Sequence, residues 1–268
     1  MKNVPSYIPD GPLLDRTLGI VNPYDMALDR ELWRWMPDGV SISATRTPHH
    51  PLTVDELLAD AIGNDDDLRS TASRLAAVEP DALVFVCASA SFINGLDGAR
   101  RISATLTEAA GAPAVTTSEA LLEALDVLGI GQLAIATPYV QKLTSRLELF
   151  LADQGHPVVS TGSLNRDRLI WRVPYRVTAD LIRGTDHPDA EAIFVSCTNP
   201  FSQQIKGLQG LDNAGAGSHC LPGISAWRPP LRCRLHQLVP QKFSGPETTH
   251  RVRRPLQDVP RGSARTRP

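Results

Sequence analysis

Apolar residues follow two different periods along the first 200 positions of the chain. Short continuous apolar runs such as "ALVFV", residues 82–86, predict strands that are buried on both faces of a parallel sheet. Longer stretches between these runs carry apolar residues every three or four positions, which predicts helices. The predicted strands are residues 18–21, 39–45, 82–86, 112–117, 132–137, 156–161 and 192–196. Strands that alternate with helices predict an α/β fold with mostly parallel sheets and right-handed crossovers.

Polar residues mark where several of these helices begin. Thr53, followed by acidic residues, is the predicted cap of a helix over residues 53–62. A helix over residues 118–129 is predicted to start at a serine without a full capping box, with Glu119 in its first turn. The acidic run at residues 65–67 resembles a metal site, but three acids at this place are more typical of a solvated helix start favoured by the helix dipole.

Two short fragments recur in the same order along the chain. "GIVNPY" at residues 19–24 matches "AIATPY" at residues 134–139, an offset of 115 positions. "DALVFVC" at residues 81–87 matches "EAIFVSC" at residues 191–197, an offset of 110 positions. Near-equal offsets are what a duplicated strand–helix unit produces. The repeat therefore predicts two similar α/β halves.

The repeat also gives the two cysteines a shared context. The halves are predicted to span residues 1–125 and 126–206, and each carries one cysteine at the end of a buried strand, Cys87 and Cys197. Ligands of open α/β sheets bind beyond the carboxyl ends of the strands, so facing halves would bring both thiols to one cleft. The alternative is that each cysteine is a small buried hydrophobe with no chemical role.

Composition and charge narrow the classes of protein. The 268 residues are 42% hydrophobic and 21% charged with a net charge of −2, which gives no global sign of a nucleic-acid or anionic membrane partner. The apolar runs are too short to cross a membrane, and the N-terminal residues have no apolar signal core, so a cytoplasmic protein is expected. Four cysteines with no CxxC pair do not make a disulfide scaffold.

The last part of the chain has a different composition. Residues 207–268 hold nine Arg and one Lys against two Asp and one Glu, together with eight Pro, and show no sustained helical or strand period. Three interpretations stay open: a disordered basic tail, a segment that binds nucleic acid, or a reading frame that slipped near residues 206–215. Two His and two Cys in this tail, residues 219, 220, 233 and 236, match the spacing of no standard zinc finger.

The chain resembles the aspartate/glutamate racemase superfamily, and within it the maleate cis-trans isomerase and arylmalonate decarboxylase branch. The residues that carry the resemblance, between about residues 18 and 205, are "GIVNPY", "VCASASF", "ATPYVQKL", "SLNRDRLIWRV" and "VSCTN". The resemblance implies a pseudo-twofold pair of α/β halves around a site that needs no cofactor or metal. Isomerases and racemases of this group use one thiol from each half, whereas the decarboxylases keep only the thiol of the second half.

Because both cysteines are present, the resemblance favours a cofactor-independent isomerase or racemase of a small carboxylate. Cys87 would add to the substrate double bond and Cys197 would handle a proton. A decarboxylase that uses Cys197, or an inactive chain with a basic binding tail, are the alternatives, and a homodimer is compatible with the resemblance. The expected substrate-binding residues are Pro23, Tyr24, Ser89, Ser91, Tyr139, Asn165, Thr198 and Asn199.

Two departures from the isomerase pattern bear on the substrate. The isomerase sequence "PSSN", whose Asn binds a carboxylate, is "PYDM" here, so Met26 replaces that Asn beside an acid, Asp25. The isomerase "CTSGS" is "CASAS" at residues 87–91. Thiol chemistry of this kind needs a thiolate, and the helix or turn expected after each cysteine predicts a lowered thiol pKa. The same helix termini offer N–H groups that can stabilise an enediolate.

Overall fold

Two four-stranded sheets organise the computed structural model, which describes residues 16–36, 39–197 and 219–222. The first sheet has the order β2-β1-β3-β4 and the second the order β6-β5-β7-β8. The strands are β1 (Arg16–Asn22), β2 (Val40–Arg46), β3 (Ala82–Phe85), β4 (Ala114–Thr116), β5 (Leu133–Tyr139), β6 (Val158–Arg166), β7 (Ala192–Val195) and β8 (His219–Pro222). Every pair of neighbouring strands is parallel, and the two orders are equivalent, which confirms the prediction of two similar α/β halves.

Helices connect the strands. They are α1 (Asp29–Trp35), α2 (Glu56–Ile62), α3 (Asp65–Ala76), α4 (Ala88–Phe92), α5 (Gly95–Ala110), α6 (Thr117–Leu128), α7 (Gln141–Asp153) and α8 (Tyr175–Thr185), with a 3₁₀ turn at Ile170–Arg172. Among the described residues, no helix combines the length and the apolar character that crossing a bilayer requires. The boundaries predicted for the halves at residues 125 and 206 stay a prediction, since both sheets belong to one compact unit over residues 1–228.

The repeated acid of the two cysteine fragments has a structural role. Asp81, which precedes β3, accepts a hydrogen bond from the backbone N–H of Thr17 on β1 at 2.7 Å. Glu191, which precedes β7, accepts one from the backbone N–H of Gln132, just before β5, at 3.2 Å. Each acid therefore ties the start of its strand to the neighbouring central strand.

Two of the predicted helix starts are wrong in detail. The cap of α2 is Asp55, whose carboxylate accepts from two backbone N–H groups, because Thr53 lies too far upstream and donates to Asp55 instead. Helix α6 begins with a full capping box formed by Thr116 and Glu119. The acidic start of α3 is confirmed as a helix start, since Asn64 caps it.

The prediction that residues 207–268 are irregular is wrong at four positions. His219–Pro222 form β8, which pairs parallel to β7 with Ala192 opposite His219. Four residues that include a proline carry no periodic signal, and the open edge of β7 supplies the pairing that makes them a strand. The other residues of the tail lie outside the described residues, and so do residues 206–215, where a slipped reading frame was one of the three open interpretations.

The core is continuous between the two halves. One cluster of buried side chains combines Phe92 and Leu121 of the first half with Leu133, Phe150 and Phe194 of the second half. We call this cluster the interface core. A second cluster, around Val21, Phe85 and Cys87, fills the first half between its sheet and helices α2, α3 and α5. Packed side chains thus hold the carboxyl ends of both sheets, where Cys87 and Cys197 lie.

Candidate active site

Cys87 and Cys197 occupy equivalent places in the two halves. Cys87 follows β3 after one intervening residue, Val86, and Cys197 follows β7 after Ser196. Their backbones differ, because Cys87 is extended with φ −131° and occupies the N-cap position of α4, whereas Cys197 has φ +88°. A residue with a side chain is strained at such a positive φ, at a cost on the order of 1–3 kcal/mol, and strain of this kind is frequent at functional sites.

Cys87 is buried in the core of the first half, with 5% of its surface exposed. Burial raises the pKa of its thiol to about 11, and neighbouring Asp25 adds to the increase. Two contacts lower this pKa: a hydrogen bond from the N–H of Ala90 and the hydroxyl of Ser89, which lies 3.7 Å from Sγ. Their effect is smaller than that of burial. The expectation of a lowered thiol pKa is therefore wrong for Cys87, since α4 has only five residues and the sulfur is desolvated.

Tyr139 connects the two thiols. It ends β5, has 1% of its surface exposed and packs edge-on against Phe92 at 6.3 Å between ring centres. Burial raises the pKa of its phenol well above 10, and charge on Cys197 and on Cys87 acts in the same direction. A hydrogen bond with Cys197 also raises this pKa. The structure thus brings both thiols into the surroundings of one neutral, buried phenol.

Tyr24, the counterpart of Tyr139 in the repeat, lies in the turn after β1 and is half-buried. Its hydroxyl donates to the carbonyl of His50 at 3.0 Å, and its ring lies edge-on to His49 at 4.9 Å. Burial is the largest cause of its raised pKa, and charges on Asp25 and Cys87 raise the pKa further. Tyr24 packs against the cluster that contains Cys87, so it belongs to the first-half side of the site.

The turn that carries Tyr24 also holds the departures from the isomerase pattern. The carbonyl of Pro23 accepts from the N–H of Met26 at 3.1 Å and closes the turn. Met26 is buried, whereas Asp25 is half-buried and its pKa is raised by burial. This side of the site therefore offers an apolar side chain and a carboxyl group, and neither favours a substrate carboxylate.

The two predicted serines differ in what their hydroxyls contact. Ser89 lies beside the sulfur of Cys87. Ser91 is fully buried, donates to the carbonyl of Ala88 at 2.8 Å and lies 2.6 Å from the hydroxyl of Ser118 at the start of α6. Because these protein contacts already engage its hydroxyl, Ser91 is suited to positioning α4 against α6.

Asn165 sits at the end of β6 with φ +49° and is exposed. Its side-chain oxygen accepts from the N–H of Gln141, the first residue of α7, at 3.3 Å. Its own N–H donates to Ser163, whose hydroxyl donates to the carbonyl of Tyr139 at 2.6 Å. Asn165 is therefore coupled to the backbone of Tyr139. The remaining predicted contacts, residues 198 and 199, lie outside the described residues.

One further residue of this region carried no sequence prediction. Ser196 is fully buried and donates its hydroxyl to the Tyr139 oxygen at 3.3 Å. The signal that could have found it is the repeat itself, because the aligned residue in the first half is Val86. Within the described residues, no group of three or more His, Cys, Asp or Glu side chains is arranged to hold a metal ion.

Comparison with known proteins assigns the family. A family model described as arylmalonate decarboxylase matches residues 52–210, which is more than half of the chain. The chain belongs to the arylmalonate decarboxylase family. A curated relative, the arylmalonate decarboxylase of Bordetella bronchiseptica, is 32% identical over 115 residues, which are 41% of this chain and 47% of that protein. The chain thus matches about half the length of that relative.

Solved structures show the same fold in two kinds of enzyme. A mutant of the Nocardia farcinica maleate cis-trans isomerase with a covalently bound succinylcysteine intermediate has a TM-score of 0.66 at 18% identity, covering 76% of this chain and 87% of that chain. An arylmalonate decarboxylase has a TM-score of 0.61 at 21% identity, covering 76% and 86%. These similarities confirm the racemase-like fold, and the family model together with the curated relative confirms the branch predicted from sequence.

Proposed function

We propose that the protein is a cofactor-independent isomerase or racemase of a small carboxylate that uses Cys87 and Cys197 as its reactive groups. The observation that supports this proposal is the placement of one thiol after β3 and one after β7, both within the electrostatic surroundings of Tyr139. A pair of acid–base groups on opposite sides of a substrate is the arrangement that racemisation and related proton transfers use.

In the racemase form, the thiolate of Cys197 takes the proton from the carbon next to the substrate carboxylate. The C–H electron pair passes into an enediolate, which the Tyr139 hydroxyl can stabilise by donating a hydrogen bond. Cys87 then gives its thiol proton to the opposite face. A pKa of about 11 keeps Cys87 protonated at neutral pH and suits it to this donor role.

In the cis-trans isomerase form, a thiolate adds to the double bond, the alkene electrons move into an enediolate, the single bond rotates, and the thiolate leaves again. The resemblance assigns the addition to Cys87. With a pKa of about 11, only about one Cys87 in ten thousand is a thiolate at pH 7. The raised pKa therefore favours Cys197 as the nucleophile in this chain.

The second candidate is an arylmalonate-type decarboxylase, which the family model and the 32% identical relative favour. One carboxylate would leave as CO₂, its C–C electrons would form the enediolate, and the Cys197 thiol would protonate it. Cys87 would be dispensable for this reaction.

Proton NMR in D₂O distinguishes the candidates. We would incubate the protein with maleate, with a chiral 2-aryl carboxylate and with phenylmalonate, and follow fumarate formation, deuterium at the α-carbon and loss of CO₂. We expect Cys87→Ser and Cys197→Ser each to abolish isomerisation or deuterium exchange, while Cys233→Ser, a matched control, leaves them unchanged. Loss of CO₂ that requires Cys197 alone would support the decarboxylase instead. Turnover that survives both active-site substitutions, or no turnover of any substrate, would overturn the proposal.

A further inference from the structure

Ser196 is bound to β5 through both its backbone and its side chain. Its N–H donates to the carbonyl of Ala136 at 2.9 Å, and its hydroxyl donates to the Tyr139 oxygen at 3.3 Å. Both hydroxyl groups are shielded from solvent, since Ser196 is 0% and Tyr139 1% exposed. The 3.3 Å between the two oxygens is long for a hydrogen bond between hydroxyl groups, so this bond is weak. Its main effect is to fix which hydroxyl donates and which accepts.

The direction matters because a phenol has a single proton to donate. An oxygen that accepts from Ser196 on one side directs its own O–H to another side. Cys197, the residue that follows Ser196, packs against the buried cluster that contains Tyr139, so its sulfur is a candidate acceptor for that proton. Donation from Tyr139 to Cys197 would extend the observed Ser196–Tyr139 hydrogen bond into a chain in which each hydrogen bond strengthens the next.

The first half has a different arrangement at the equivalent place. Val86 stands where the second half has Ser196, and it has no hydroxyl to donate. Tyr24 donates its proton to the carbonyl of His50. Among the described residues, a serine hydroxyl that donates to the tyrosine of its own half therefore occurs at this position only in the second half.

We propose that Ser196 is a positioning residue that directs the Tyr139 proton toward Cys197 and toward a substrate oxygen bound beside it. The part that concerns the substrate oxygen rests on the proposed function. The part that concerns the Cys197 sulfur does not require turnover, because a thiolate that accepts a hydrogen bond has a lowered pKa whether or not substrate is bound.

The test measures the alkylation of Cys197 by iodoacetamide as a function of pH, with the modified peptide quantified by mass spectrometry. Ser196→Ala weakens donation to the thiolate, so we expect the pH profile of Cys197 to move up by about half a unit, which slows the reaction about threefold below the midpoint. Ser196→Thr keeps the hydroxyl and should restore the profile. Ser103→Ala, which removes another buried serine hydroxyl on α5, is the matched control and should leave the profile unchanged.

A double substitution separates positioning from a general structural effect. If Ser196 acts through Tyr139, Ser196→Ala should produce no further shift when Tyr139→Phe is already present. An equal shift with and without the phenol, or no shift at all in Ser196→Ala, overturns the inference. Failure of the wild-type protein to turn over the carboxylates above overturns the proposed function alone, since the alkylation profiles are read independently of it.

Discussion

The two halves share a strand order but differ in chemistry at the ends of their central strands. At the end of β1, the Asn22 amide is fully buried and has no hydrogen-bond partner among the described residues, and Tyr24 in the following turn donates to the carbonyl of His50. Near the end of β5, the aligned Thr137 hydroxyl pairs with Thr144 of α7 at 2.7 Å, and Tyr139 is the last residue of the strand. The duplicated architecture sets where the residues lie, whereas the individual side chains set what each half contributes.

The cysteines show the same difference. Cys87 is extended, buried and held as a thiol, whereas Cys197 is half-buried, has a positive φ and lies beside the Tyr139 hydroxyl. Under the proposed function, two equivalent positions with unequal environments would take unequal roles, one as proton donor and one as base or nucleophile. The following predictions test this comparison.

The largest predicted difference in the free energy of unfolding is between a chain that ends after β8 and one that ends before it. A chain ending at residue 222 keeps the strand that corresponds to β4 of the first half, whereas a chain ending at residue 218 leaves the outer edge of β7 unpaired. The four-residue ladder contributes on the order of 4 kcal/mol at about 1 kcal/mol per hydrogen bond. Urea unfolding of the two chains measures the difference, and equal free energies of unfolding would show that β8 does not complete the second sheet.

The two thiols should differ in reactivity by about 100-fold or more. The pKa of Cys87, raised from an ordinary 9.0 to about 11, lowers its thiolate fraction about 100-fold at neutral pH, and burial restricts access further. Iodoacetamide labelling of the native protein at pH 7.5, followed peptide by peptide, should modify Cys197 first. After unfolding in urea the two rates should converge, and a ratio near one in the native protein would contradict the assigned difference.

The same thiol predicts a loss of stability in alkaline solution. Between about pH 9 and pH 11 the folded protein keeps the Cys87 proton while the unfolded chain releases it, so the free energy of unfolding falls as pH rises through this window. The total loss of unfolding free energy is about 3 kcal/mol, at 1.36 kcal/mol per pKa unit. Below pH 9 the Cys87 thiol is protonated in both states, so it adds no pH dependence there. The raised pKa values of Tyr139 and Tyr24 add to the loss above about pH 10.

Urea unfolding at intervals of half a pH unit checks this slope. Cys87→Ala should flatten the fall between pH 9 and pH 10, whatever its effect on stability at pH 7, while Cys197→Ala should preserve the fall. A slope that is unchanged in Cys87→Ala would assign the alkaline loss to other groups.

The smallest predicted effect concerns two matched contacts between the halves, whose removal should lower the free energy of unfolding by different amounts. Tyr175 of α8 donates to the buried carboxylate of Glu31 on α1 at 3.0 Å, and the matching α2–α7 contact is an ion pair between Glu56 and the exposed Lys142. Tyr175→Phe should cost about 2 kcal/mol because a buried carboxylate loses a donor. Lys142→Ala should cost less than about 1 kcal/mol, because solvent screens that pair. Thermal unfolding of both variants ranks them, and a reversed rank would contradict the comparison.

Much of the architecture was predictable because its signals are local. The apolar runs are strands in both halves, and the six-residue spacing from Asp81 to Cys87 and from Glu191 to Cys197 marks the same strand in each. The capping box at Thr116 and Glu119 was present in the sequence but was assigned to the wrong first residue. β8 was missed because its pairing depends on the open edge of β7 rather than on its own residues.

The candidate site was predictable as a set of positions but not as an arrangement. The repeat identified both cysteines and both tyrosines. Ser196 was overlooked although the repeat aligns it with Val86, because its contact with Tyr139 exists only in the folded protein. The pKa of Cys87 was predicted in the wrong direction, since a sequence shows the helix that follows a cysteine but not how completely the sulfur is buried.

By itself, the sequence determined the α/β class, the duplication and the equivalent placement of two thiols, because periodicity and spacing are properties of neighbouring residues. The tertiary structure decided how completely the Cys87 thiol is buried, which tyrosine interacts with both thiols and which hydroxyl donates to that tyrosine. These properties depend on burial and on contacts between residues far apart in the chain, such as the 57 positions between Tyr139 and Ser196.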